Sequence, residues 1–97
     1  MIAFIFLYME ELFKLSRVKG YEGELKIPDI QEWLRKEKGI HPEIFFSTYH
    51  EKWQINNFFV DVKKNKKIDR KQSKVQMFLS YEDARESAIK EILTLIN

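Results

Sequence analysis

The residues best suited to binding chemistry are concentrated in one basic tract of this 97-residue chain, residues 63–74. The tract, KKNKKIDRKQSK, carries a formal charge of +6, whereas the whole chain carries only +2. Lysine and arginine bind phosphate oxygens, and each phosphate contact steepens the salt dependence of binding by about one unit of slope. The candidate contacts to a polyanion are Lys63, Lys64, Lys66, Lys67, Arg70, Lys71 and Lys74.

The same tract also fits a solvated loop whose charges keep the neighbouring sheet edges soluble. It contains a single apolar residue, Ile68, and no aromatic side chain on which an unpaired base could stack. We therefore predict a hydrophilic loop over residues 63–74. Binding of nucleic acid or another polyanion is the alternative to that interpretation.

The two histidines do not form a metal-binding pattern. His41 and His50 would lie about 30 Å apart on an extended strand, and no His-x-His, His-x-x-x-His or His-Glu-x-x-His spacing occurs. The chain has no cysteine, which excludes disulfides, thiolate ligands and a cysteine nucleophile. We therefore predict no metal site and no cofactor.

Residues for nucleophilic or acid–base catalysis are present without the spacing that such chemistry needs. No serine lies in a Gly-x-Ser-x-Gly motif, and the segment GYEG lacks the Lys-Ser/Thr of a phosphate-binding loop. Adjacent carboxylates at 10–11 and 82–83 fall near predicted helix starts, where acids stabilise the helix dipole. The sequence predicts that the protein is not an enzyme.

The composition indicates the kind of scaffold that holds these groups. A length of 97 residues suits one domain, and 44% hydrophobic with 14% aromatic residues argues against disorder. The apolar run over residues 2–9 is far shorter than the roughly 20 residues of a membrane span. It also lacks the basic region and cleavage site of a signal peptide. We predict a single cytoplasmic domain without a membrane span.

Residues 1–27 comprise the apolar run, an amphipathic helix over 10–19 and a loop over 20–26. The apolar run fits a buried helical turn or a short buried strand. A partner-docking or membrane-touching segment is the alternative, and a natural start at Met9 would make residues 1–8 an upstream extension.

Residues 28–96 form the predicted core, and with the first helix they give the order α-α-β-β-β-α. This pattern predicts an α+β fold in which helices cover one face of a three-stranded antiparallel sheet. Pro28 suits a helix start and Gly39 a helix end. The predicted elements are a helix over 28–38, strands over 43–50, 53–62 and 75–79, and a last helix that Ser80 caps. That helix reaches residue 96 and carries an apolar stripe of Ala84, Ala88, Ile89, Ile92, Leu93 and Ile96.

Apolar residues on the second predicted strand change parity part-way along it. A bulge near Asn56 and Asn57 would return them to one face. The residues that such a bulge would align are Trp53, Ile55, Phe58, Val60 and Val62. On the third strand, Val75, Met77 and Leu79 are predicted to share a face.

Phenylalanines occupy both faces of the predicted strands, so an apolar patch is expected outside the core. Examples are Phe45 and Phe46 on the first strand and Phe58 and Phe59 on the second. Either the segment 2–18 covers this patch, or a second copy or another protein does, since exposed apolar patches mark association. A homo-oligomer or protein partner is therefore one predicted mode of action.

The segments PDIQEWLRKEKGIHPEIFF and SYEDARESAIKEILTLI resemble a family of small uncharacterised proteins. That family is associated with Bacteroides-type gut bacteria and their phages or mobile elements. The resemblance covers residues 28–96 and implies an origin and a fold, with no activity attached.

The order helix–strand–strand–strand–helix over 28–96 is also similar to that of the double-stranded RNA-binding domain. That family uses lysines at the start of its last helix to hold phosphates across two minor grooves. The corresponding segment here sums to −2, from Tyr81, Glu82, Asp83, Arg85 and Glu86. Because carboxylates repel phosphate, the similarity does not extend to that function.

Overall fold

The computed structural model describes residues 2–70 and 76–96, with side chains from Met9 onward. The described helices are α1 (Ile2–Val18), α2 (Ile27–Trp33), which continues into a π-helical turn (Leu34–Lys38), and α3 (Tyr81–Leu95). The strands are β1 (Ile40–Ser47), β2 (Lys52–Asp61), β3 (Lys66–Asp69) and β4 (Met77–Phe78). No helix in this part of the chain is long and apolar enough to cross a membrane.

The predicted α+β class is confirmed, with one antiparallel sheet packed against helices. Strand β2 lies at the centre, and β1 pairs along one of its edges. Strands β3 and β4 pair with successive parts of the other edge, β3 opposite 58–61 and β4 opposite 53–54. The sheet is therefore three strands wide, with its third row built from two short strands.

Strand β3 corrects the prediction that residues 63–74 are a loop throughout. Ile68 pairs with Phe59 of β2 and packs against the core, so one apolar side chain anchors a four-residue strand among charged neighbours. Lys71, Lys74 and Val75 lie outside the described residues. Of the face predicted for the third strand, Met77 and Leu79 are exposed, and Phe78 between them packs against the core instead.

The β1–β2 hairpin begins earlier than predicted. Strand β1 starts at Ile40 and includes Pro42, which an edge strand tolerates because it needs fewer ladder hydrogen bonds. A four-residue turn over 48–51 replaces the predicted two-residue turn, and Glu51 adopts a φ of 54° in it.

The predicted bulge in β2 is present, but its effect on the side chains was wrongly predicted. Ile55 pairs with Ile44 and Phe59 pairs with Pro42, so residues 56–58 lie opposite Glu43 alone. Because the bulge adds two residues, odd-numbered side chains of β2 face the core both before and after it. A bulge of one residue would have reversed the faces after it. Phe59 therefore faces the core, while Phe58 and Val60 face the opposite side.

The core lies between the sheet and α3. The apolar stripe of α3 is fully buried and consists of Ala84, Ala88, Ile89, Ile92 and Leu93. The predicted cap is confirmed, since Ser80 Oγ accepts a hydrogen bond of 3.1 Å from the backbone N–H of Asp83. From the first helix, Leu12 joins this core, and Lys90 of α3 forms an ion pair of 2.9 Å with Glu11.

Candidate interaction surfaces

The turn over residues 62–65, which joins β2 to β3, and the first two residues of β3 carry four of the seven predicted basic contacts. The side chains of Lys63, Lys64, Lys66 and Lys67 are exposed. The buried Asp61 accepts hydrogen bonds from the backbone N–H groups of Lys63 (3.1 Å) and Lys64 (3.0 Å). Its carboxylate therefore stabilises the turn, and within the described ranges none of the four ammonium groups forms an ion pair.

Hydrogen bonds join this turn to the π-helical turn that follows α2. Lys63 Nζ donates to the carbonyl oxygen of Glu37 at 2.8 Å, and the N–H of Val62 donates to that of Gly39 at 2.7 Å. Gly39 has a φ of 75°, and a Cβ there would lie 2.8 Å from Lys63 Cγ. The backbone conformation and the close approach both require glycine at this position.

The contact with α2 brings a second basic segment, residues 35–38, to the same end of the molecule. We call residues 35–38 and 61–67 together the basic end. Arg35, Lys36 and Lys38 are not among the contacts predicted from the sequence. The sequence does show two short basic segments, residues 35–38 and 63–67. Only the tertiary fold shows that these segments lie next to each other.

Arg70 differs from its basic neighbours because its side chain is only 4% exposed. Its Nε and Nη2 donate to the two carboxylate oxygens of Glu91, at 2.6 and 2.9 Å. Its Nη1 donates to the carbonyl oxygens of Ile55 and Asn56, and the guanidinium lies over the Phe59 ring. Arg70 thus joins the β2 bulge to α3, and its charge is already matched by a carboxylate.

The sheet has an outer face on the side away from α3. Phe45, Gln54 and Met77 form a row across it, and Phe58 and Val60 lie further along β2, partly exposed. The described side chains of α1 join the core on the α3 side, through Leu12 among others, and do not cover this face. The side chains of residues 9–18 are therefore not the cover of the apolar patch that the sequence analysis offered as one alternative.

An apolar end lies where the β1–β2 turn meets β4. It consists of exposed side chains on both faces of the sheet and in the adjoining turns: Phe45, Phe46, Tyr49, Met77 and Leu79. Edge-to-face aromatic contacts continue it inward, with centroid distances of 5.3 Å from Phe46 to Trp53 and from Trp53 to Tyr81. The eight residues of β1 run alongside all of β2, whose bulge adds no length, so the two ends of the hairpin lie about 23 Å apart.

The start of α3, near the apolar end, is acidic. Glu82 and Asp83 occupy its first turn. Burial raises the pKa of the Glu86 carboxyl above its ordinary value, and the charge of Asp83 adds to the rise. The first turn of α3 thus presents carboxylates where a double-stranded RNA-binding domain presents lysines.

The two histidines lie apart, His41 on β1 and His50 in the β1–β2 turn. Within residues 2–70 and 76–96, no three His, Asp or Glu side chains are grouped so that they could hold a metal ion. His50 lies in the β1–β2 turn with its ring edge-on to Tyr49, at a centroid distance of 4.8 Å.

Comparison with protein-family models, curated proteins and solved structures found no match to this chain.

Proposed function

We propose that this protein is a small, non-enzymatic cytoplasmic interaction or accessory protein that associates through its apolar end. One observation carries the proposal: five large apolar side chains are exposed there. Their exposed fractions are 45% for Phe45, 46% for Phe46, 90% for Tyr49, 41% for Met77 and 84% for Leu79. Apolar side chains grouped in this way mark surfaces that another protein covers. An origin in Bacteroides-type bacteria or their mobile elements stays a proposal.

A second copy of the chain is the partner that this surface fits best. A two-fold interface uses the same patch on both subunits and therefore needs a self-complementary patch. The outer face continues from the apolar end to Lys67 of the basic end and also carries two carboxylates, Glu43 and Asp69, so that it can oppose opposite charges in a two-fold arrangement. Phe45 and Met77 supply the apolar contact between them.

Replacing Phe45 and Met77 together by serine is expected to weaken self-association at least about tenfold, or 1.4 kcal/mol. The reason is that both side chains would move from a desolvated interface to water. Sedimentation equilibrium over a range of protein concentrations measures the dissociation constant. Val18→Ser is the matched control, because Val18 is also exposed but lies on α1, away from both surfaces. A wild-type chain that stays monomeric at the highest concentration would contradict self-association.

Nucleic-acid binding through the basic tract is the second candidate function. It is supported by four exposed lysines, two in the β2–β3 turn and two at the start of β3. Asp61 holds the backbone of the two turn lysines in place. An aromatic ring lies beside the tract, since the Lys67 ammonium is 4.2 Å from the centroid of Phe58. A shallow pocket of about 280 Å³ joins this ring to the turn and is lined by Glu43, Phe58, Val60, Asn65, Lys66 and Lys67.

The double substitution Lys64→Gln/Lys66→Gln is expected to reduce the slope of log affinity against log salt by about two, one per lost phosphate contact. Fluorescence anisotropy of a labelled oligonucleotide across a salt series measures that slope. Lys14→Gln/Lys26→Gln is the control, because it removes the same charge from exposed positions outside the basic end. Equal slopes for the two double variants would refute binding through this turn.

A further inference from the structure

We propose that the basic end is one composite phosphate-binding surface, in which the end of α2 and the β2–β3 turn hold the same nucleic-acid backbone. The inference rests on the second candidate function and adds contacts from residues 35–38, chiefly Lys38. It identifies the ligand as the phosphodiester backbone, bound through its charge and independently of base sequence.

The geometry of the basic end supports a single rigid surface. Two hydrogen bonds, from Lys63 Nζ to Glu37 and from the Val62 N–H to Gly39, join the segments. Asp61 fixes the turn from inside through the N–H groups of Lys63 and Lys64. Lysines from two parts of the chain are therefore held side by side before a ligand arrives, which lowers the cost of ordering them on binding.

The charge of the basic end is strongly positive. Residues 35–38 and 61–67 hold seven cationic side chains and two carboxylates. One of these carboxylates, Asp61, is buried and bonds the backbone of the turn. The other, Glu37, is exposed on the π-helical turn. Such an excess of positive charge attracts phosphates and raises the rate of association with them.

Within residues 35–38, the structure points to Lys38 as the principal additional contact. Glu32 accepts from Arg35 at 2.5 Å and lies 3.3 Å from Lys36 Nζ. The hydrogen bond from Arg35 lowers the pKa of the Glu32 carboxyl, so Glu32 stays ionised and engages both of these cations. Lys38 has no carboxylate partner among the described residues, and its ammonium lies 5.7 Å from the Trp33 ring centroid.

The chemistry of the basic end favours a nucleic acid over a protein as the ligand. Cores of protein interfaces are apolar and depleted in lysine, whereas the basic end exposes one large apolar side chain, Val62, among its described residues. Lysines that act as point charges suffice for phosphate contacts. Apolar association is thus left to the opposite end of the sheet.

The test is the single substitution Lys38→Gln, compared with Lys26→Gln at the other end of the same helix. Binding to a labelled single strand and to a duplex of equal length is measured by anisotropy across a salt series. Lys38→Gln is expected to weaken binding severalfold and to lower the salt slope by about one, while Lys26→Gln binds as the wild type does. Thermal unfolding of both variants shows that the fold is retained.

Each outcome either supports or overturns the composite surface. If Lys38→Gln binds as the wild type while Lys64→Gln/Lys66→Gln is impaired, the composite surface is wrong and the second candidate function stands. If wild-type protein binds neither oligonucleotide, both fail. Binding of heparin but of neither oligonucleotide overturns the assignment to nucleic acid. A loss of affinity of Lys38→Gln for the single strand, the duplex or both supports the composite surface.

Discussion

Substitution of Arg70 by methionine is expected to lower the free energy of unfolding by about 3–5 kcal/mol, the usual effect of removing one partner of a buried ion pair. The Glu91 side chain is only 11% exposed, so its carboxylate would be left with little water and no counter-charge. The carbonyl oxygens of Ile55 and Asn56 would also lose a donor at the β2 bulge. Urea denaturation followed by tryptophan fluorescence measures the loss.

The double variant Arg70→Met/Glu91→Met shows how much of the lost stability comes from leaving the Glu91 charge unpaired. Because both charges are then absent, the double variant is expected to be more stable than Arg70→Met alone. Lys67→Met, an exposed neighbour on β3, serves as the control and should change the stability by less than about 0.5 kcal/mol. A loss of similar size for Arg70→Met and Lys67→Met would show that the ion pair is not buried as described.

Substitution of Phe59 by alanine is expected to cost about 3–5 kcal/mol, as removal of a buried aromatic ring from a packed core does. Phe59 is fully buried on the central strand, beneath the Arg70 guanidinium. Alanine would leave a cavity between β2 and α3 that the rigid surroundings fill only in part. The same chemical denaturation experiment measures the effect.

Phe58→Ala is the matched control for this cavity, because Phe58 is the preceding residue on the same strand. It lies partly exposed on the outer face, so truncation should cost less than about half as much. The comparison also tests the bulge in β2, since a one-residue bulge would have placed Phe58 inside and Phe59 outside. A larger loss for Phe58→Ala than for Phe59→Ala would refute the observed register.

Features set by short-range physics were predictable from the sequence. The Ser80 cap and the apolar stripe of α3 depend on residues three or four apart, and both were predicted correctly. Gly39 was predicted as a helix end and adopts the left-handed conformation that such ends require. The bulge near Asn56 was also located correctly, because the change in apolar parity requires an irregularity there.

Features set by long-range pairing were not predictable in this way. Whether the bulge adds one or two residues depends on the partner strand, so the sequence of β2 alone could not assign Phe59 to the core. Strand β3 forms because β2 offers it a free edge, although its own residues, KKID, favour a loop. Ile68 was the only local signal for it.

The candidate sites show the same division. Exposure of the lysines in the β2–β3 turn follows from their hydrophilicity, and the structure places them on the surface as expected. Arg70 belongs to the same basic run, but its carboxylate partner is 21 residues away on α3. Nothing in its immediate neighbours distinguishes an arginine that pairs inside the fold from one that faces solvent.

Strand β2 sets the distance between the apolar end and the basic end. It runs from the apolar end to the basic end, and because its bulge adds no length, the eight residues of β1 beside it give a span of about 23 Å. This separation exceeds the Debye length of about 8 Å at physiological salt. A charge bound at one end of β2 therefore changes the electrostatic potential at the other end only slightly. Strand β2 thus separates the surface proposed for self-association from the surface proposed for nucleic acid.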